Sequence, residues 1–136
     1  MKISTLKQFS VFMPNKPGAL SRLAALLAER CINLVGIASE VRDDSGLVRL
    51  AVDSSTDVSA ILSQGGFSSV ETTLLSVELD DRPGELARVT KILAEGKINI
   101  TTVFGTSTEG SACRILINVE NTQKALALLE KAVLVC

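Results

Sequence analysis

Two short stretches hold the groups best suited to gripping a small charged molecule: Asn15-Lys16-Pro17-Gly18 and Asp81-Arg82-Pro83-Gly84. Each leads into a segment with helical spacing, and a helix N-terminus offers unpaired N–H groups and a partial positive charge. The donors would be those of Gly18, Ala19 and Leu20 in one stretch and Gly84, Glu85 and Leu86 in the other. A small carboxylate suits such a place, and glycine lets it approach the backbone closely. Asn15 adds an amide that donates and accepts, whereas Asp81 adds a carboxylate suited to an ammonium group. An α-amino acid carries both charges. Pro-Gly after a strand is equally a serviceable folding turn, and the residues alone leave that reading standing.

Asn33 and Asn99 are a second pair of candidates. Asparagine is a poor strand former, yet each sits between aliphatic residues where a strand should begin. The competing reading is a side chain that satisfies loop backbone groups. Arg49 and Arg114 read as solvated strand residues. Thr101 and Thr102 read as strand residues able to line a pocket, and Cys113 as a packed one.

What is missing narrows the chemistry further. The 136 residues include no His, Trp or Tyr. That removes the commonest general base and zinc ligand, and with them any Ser-His-Asp or Cys-His arrangement. Asp, Glu, Lys or Cys could act in principle, but no spacing asks for catalysis, a metal or a cofactor. A formal charge of -1 without a basic cluster speaks against nucleic acid or an anionic membrane surface as partner. Cys31, Cys113 and Cys136 lack C-x-x-C spacing and are odd in number, which suggests reduced, mostly packed thiols in a cytoplasm. The N-terminus has no apolar signal core, and no stretch approaches a membrane span.

The elements that must position these residues occur twice. At an offset of 66, residues 9–39 fall on 75–105 without a gap, and 11 of the 31 positions are identical. Such a match is a duplication. Each copy opens with an alternating strand, Phe9 to Met13 or Leu75 to Leu79. Pro17 and Pro83 suit the first helical position. A helical stripe follows at Leu20, Leu23, Ala24 and Leu27, or at Leu86, Val89, Thr90 and Leu93. These helices should end near Arg30-Cys31 and at Gly96, the latter as a left-handed cap.

The next strands begin at Ile32-Asn33-Leu34 and Ile98-Asn99-Ile100. Hairpin turns are expected at Asp43-Asp44-Ser45-Gly46 and Thr108-Glu109-Gly110, followed by strands near Leu47 to Val52 and Arg114 to Val119. A one-residue slip there pairs Arg49 with Arg114. Second helices, near Asp57 to Gln64 and Thr122 to Lys131, take Thr56 and Asn121 as caps. Short strands, near Ser69 to Thr73 and Val133 to Cys136, close the copies. The pattern is an α+β fold of two β-α-β-β-α-β units. Each has a ferredoxin-like antiparallel four-stranded sheet with both helices on one face, and the sheets should pack together. The division is expected at residues 1–70 and 71–136.

The string Asn15-Lys16-Pro17-Gly18-Ala19-Leu20 with Ile32-Asn33-Leu34 resembles the ACT domain, a small regulatory amino-acid-binding module. Its second occurrence reads Asp81-Arg82-Pro83-Gly84-Glu85-Leu86 with Ile98-Asn99-Ile100. The likeness covers nearly the whole chain, as in stand-alone tandem ACT proteins with no fused enzyme. It implies amino-acid effectors bound at module interfaces, with contacts from Asn15, Asn33 and Asn99. Asp81 departs from the pattern, which implies one site per chain or two of unequal affinity. The leading expectation is therefore a non-catalytic sensor of a small amino acid, a homodimer that adjusts an enzyme partner or its own assembly. The alternative is a ligand-free ACT module serving as a regulatory subunit or dimerisation scaffold.

Overall fold

The computed structural model describes residues 1–53, 56–106 and 112–135. Along the chain run β1 (Lys2–Pro14), α1 (Ala19–Glu29), β2 (Leu34–Arg42), β3 (Ser45–Val52) and α2 (Val58–Gln64). They are followed by β4 (Ser68–Leu79), α3 (Glu85–Glu95), β5 (Ile100–Thr106), β6 (Cys113–Val119) and α4 (Thr122–Val135). Two compact units result, one of Lys7–Thr72 and one of Thr73–Cys136 together with Met1–Leu6. The hairpin residues Thr108, Glu109 and Gly110, and the thiol of Cys136, lie outside the described residues.

In the unit of Lys7–Thr72 the strand order is β2-β3-β1-β4, and β3 pairs antiparallel with both β1 and β2. Alternation puts Phe9 opposite Leu50 and Val11 opposite Val48, all buried on the helix side. Leu23 and Leu27 of α1 and Val58, Ile61 and Leu62 of α2 complete that core. Each large side chain so buried contributes about 1.5–3 kcal/mol before the entropy of ordering it. The other unit has the order β1-β4-β6-β5 and a core of Leu75, Val77, Leu79, Val89, Leu93, Ile117 and Leu129. The α+β, ferredoxin-like expectation holds for each unit.

Several local expectations give way. Two strands were expected at Ser69–Thr73 and Leu75–Leu79, but β4 is continuous because no turn residue interrupts the β-branched run. The closing strand near Val133 to Cys136 is absent from the described residues, where α4 continues to Val135. Copy one stops its short helix with Gly65-Gly66, whereas nothing after Lys131 breaks the pattern of Ala125 and Leu129. The strand place beside β4 in that unit goes instead to the start of β1, with Met1 and Ile3 packed on its core.

Caps shift too. Asp57, rather than Thr56, accepts from the N–H of Ala60, while Asn121 accepts from Lys124 as expected. Gly96 has φ of -82°, and the left-handed residues that end α1 and α3 are Cys31 at 57° and Lys97 at 59°. The N–H groups of Cys31 and Ile32 reach the carbonyls of Ala28 and Leu27, the paired bonds of a Schellman ending; Lys97 and Ile98 repeat them. A Cβ at Gly96 would require the Leu128 side chain to shift. Cys31 is exposed rather than packed, and Cys113 is half-buried.

The slip between copies runs opposite to the expected direction. Ile37 pairs with Leu50 and Val103 with Ile117, so the offset is 66 in the second strand and 67 in the third. Arg114 therefore takes the place of Leu47, and Arg49 that of Leu116.

The start of β1 offers a direct check. Ile3→Asp should destabilise the unit of Thr73–Cys136 by roughly 1–3 kcal/mol. Amide hydrogen exchange should quicken at Leu75–Leu79 while Phe9–Val11 keep their protection. Equal loss in both segments would contradict this division of β1.

Candidate functional site

The turn between β1 and α1 is held by its backbone. Gly18, at φ 89°, is the N-cap of α1, so Pro17 precedes the cap instead of opening the helix. The glycine is required by that left-handed conformation. No side chain caps the helix, and the N–H of Ala19 is already engaged by the carbonyl of Lys16 at 3.3 Å. The outward donors are thus reduced to Gly18 and Leu20. Asn15 is exposed but engaged: its backbone N–H reaches Asp44 O at 2.8 Å and its side-chain amide reaches Asp43 O at 3.0 Å. It fastens the turn to the β2–β3 hairpin.

The turn between β4 and α3 has the same backbone and different side chains. Gly84, at φ 94°, caps α3, and the N–H of Glu85 approaches Arg82 O at 3.5 Å. The Glu85 carboxylate is clasped from both sides, by Arg82 Nε at 2.8 Å and Arg88 at 2.7 Å. Glu85 is buried, while Asp81 is exposed and has no partner among the described residues. The hydrogen bond from Arg82, helped by the charge of Arg88, holds the Glu85 carboxyl below its ordinary value.

Asn33 and Asn99 stand at the far ends of the edge strands. β2 starts at Leu34 and ends at Arg42 beside the hairpin that binds Asn15, about 30 Å along an extended strand from Asn33. One unit therefore does not bring Asn15 and Asn33 together. Asn33 is exposed and its side chain has no partner among the described residues. Asn99 is engaged within its unit, its side-chain amide donating to the Glu120 carboxylate at 3.3 Å and its backbone carbonyl accepting from the Glu120 N–H. It lies at the end of β5 away from the Asp81 turn, because Thr106 pairs with Arg114 at the near end.

Arg49 and Arg114 are ion-paired with Glu40 at 3.1 Å and Glu78 at 2.8 Å. The bond from Arg114 lowers the pKa of Glu78. Thr101 gives its hydroxyl to Asn118 O.

Two hollows flank the first turn. One, of about 130 Å³, is lined by Asn15, Ala19, Leu20, Ser39 and Val41 on the β2 side. The other, of about 320 Å³, is lined by Lys16, Gly18, Ala19, Arg22, Phe12 and Phe67. Lys16, Arg22 and the two phenylalanines were not among the sequence candidates. The available signal was charge kept across the repeat, Lys16 with Arg82 and Arg22 with Arg88. Among the described residues no His/Cys/Asp/Glu group could hold a metal ion, and no helix is long and apolar enough to cross a membrane.

A family model described as an ACT domain pair matches residues 4–135. Among solved structures, protein BT0572 from Bacteroides thetaiotaomicron is similar with 24% identity and a TM-score of 0.88, over 96% of this chain and 90% of that one. The ligand-free regulatory subunit of aspartate kinase from Thermus thermophilus is similar with 17% identity and a TM-score of 0.66, over 96% and 95%. A structure of aspartokinase alpha and beta subunits has 21% identity and a TM-score of 0.64, over 98% and 97%. At these identities the likeness is one of fold. A comparison with curated proteins finds no match.

The clasped Glu85 has a consequence for acid stability. A lowered folded pKa means the clasp contributes fully above the ordinary value near 4.5 and is lost as pH falls through the depressed one. Glu85→Gln should be less stable than the parent at pH 7, and the difference should shrink below about pH 4.5. Urea unfolding of both proteins across pH 2.5–7 measures it; a pH-independent difference would contradict the clasp.

Proposed function

The chain belongs to the ACT domain pair family, and from that premise we propose a non-catalytic regulatory protein that binds a small amino acid where two modules meet. The supporting observation is the half-built hollow at Asn15, Leu20 and Val41, open along an unpaired sheet edge. Its 130 Å³ encloses little of a ligand, so a second module must supply the other wall.

The edge strand suggests how. β2 is terminal in its sheet, with Ile37 and Val41 about half exposed, and Leu20 projects from the adjoining helix. Two-fold pairing makes the same edge meet itself in antiparallel fashion. Centred on Ala38, such a pairing sets Asn33 of a second copy opposite Asp43, next to Asn15. The residues that stand about 30 Å apart in one unit then face one ligand. The N–H of Leu20 would bind its carboxylate, and Asn15 and the Asn33 of the second chain its polar groups. In the other copy Gly84, Leu86 and Asp81 are retained, but Glu85 and Asn99 are internally engaged, which favours one principal site per chain.

The mechanism is differential affinity. A ligand held by both walls stabilises the paired arrangement and shifts the chain toward it. The likeness to regulatory subunits of aspartate kinase supports a metabolic enzyme as the listener. A cytoplasmic place accords with cysteines Cys31 and Cys113, which are free thiols.

A second reading, an interaction module without ligand, is favoured by one observation: the Asn15 amide is already bonded to Asp43. Calorimetry with each of the twenty amino acids distinguishes the two. Sensing predicts a saturable heat for at least one, weakened roughly tenfold or more by Asn33→Ala. Silence throughout, together with stoichiometric recovery of an enzyme, would establish the scaffold.

A further inference from the structure

The two copies treat one position in opposite ways. An offset of 66 carries Lys16, Ala19 and Arg22 onto Arg82, Glu85 and Arg88. In the second copy the two cations clasp a buried carboxylate, at 2.8 Å and 2.7 Å. In the first copy the same backbone and the same pair of charges recur, but Ala19 brings no carboxylate. All three residues line the hollow of about 320 Å³. From this we infer that the hollow is a binding site for a small carboxylic acid, whose carboxylate takes the place between Lys16 and Arg22 that Glu85 fills in the other copy.

The details agree with a prepared site. Arg22 spends one donor on Gly65 O at 2.8 Å and lies 4.1 Å above the Phe67 ring, so its guanidinium is held in position. Its other donors, and the ammonium of Lys16, have no partner among the described residues. A Cβ built on Gly18 would meet nothing within 4 Å, so the space beside this residue is open. Positions 19 and 22 share one helix face, as 85 and 88 do.

The lining also defines the rest of the ligand. Phe12, about half exposed, and Phe67 form apolar walls that suit an aromatic or branched aliphatic body. Among the described residues no acidic side chain lines the hollow, and two cations disfavour an ammonium. The ligand class is therefore a carboxylic acid without an α-amino group. This hollow shares Lys16 and Ala19 with the amino-acid hollow on the β2 side but adds Arg22, Phe12 and Phe67, and the inference stands without the other.

Phenylacetate and acetate serve as probes, followed by proton–nitrogen correlation NMR of the whole chain. Phenylacetate should give saturable shifts at the amides of Gly18 and Ala19 and at Nε of Arg22, with acetate binding more weakly at the same signals. Ala19→Glu copies the internal carboxylate of the second turn and should weaken phenylacetate at least tenfold. Lys16→Gln, on the exposed turn, should weaken it as well and keeps the test independent of any folding effect of the first variant. Asn33→Ala, at the far end of β2, should leave it unchanged, which separates this site from the amino-acid site. Absence of saturable shifts in the parent, or unchanged affinity in Lys16→Gln, would overturn the inference.

Discussion

Both copies rest on a single backbone constraint: a glycine near φ +90° must end the turn that takes the chain from its first strand into its first helix. That left-handed residue is accessible to glycine without the cost other side chains pay. It sets the direction in which the helix departs, and so which stripe meets the sheet. Leu23 and Leu27 in one unit, and Val89 and Leu93 in the other, are buried as a result. The same geometry leaves helix N–H groups facing outward and lines up the side chains three before, at, and three after the first helical residue. Folding and candidate chemistry thus share one cause, which is why the Pro-Gly signature alone could not separate them.

The side chains on that common backbone then diverge. The second copy closes its turn with Arg82, Glu85 and Arg88, an ion cluster around a buried carboxylate. A charge removed from water is tolerable when such partners satisfy it. The first copy keeps the cations and carries Ala19, while its Asn15 ties the turn to the hairpin. Duplication has left one scaffold with two different electrostatic surfaces. The Asn15-to-Asp81 difference is therefore joined by a second, Ala19-to-Glu85, which decides what the two cations hold.

Much of the fold was legible because it depends on local periodicity. Alternation at Phe9, Val11 and Met13, and helical spacing at Leu20, Leu23 and Leu27, are properties of neighbouring residues, and duplication states each twice. The misreadings concern nonlocal competition. Val133 and Val135 look β-prone, yet α4 continues, and the strand place is filled by residues more than a hundred positions away at the N-terminus. The caps at Cys31 and Lys97 show backbone strain that residue preference disguises, since neither is a usual left-handed residue. For the site, the turn residues were visible. The distance between Asn15 and Asn33 was not, because strand direction decides it. Nor was the Glu85 clasp, because an i,i+3 charge pair on a helix is usually only a solvated surface feature.

The proposed inequality of the two copies as amino-acid sites is tested most directly by binding stoichiometry. Native mass spectrometry with the amino acid that calorimetry identifies counts ligands per chain across a titration. The expected result is a plateau at one per chain, reached together with pairing of chains. Two ligands per chain of equal affinity, bound without any change in assembly, would contradict it.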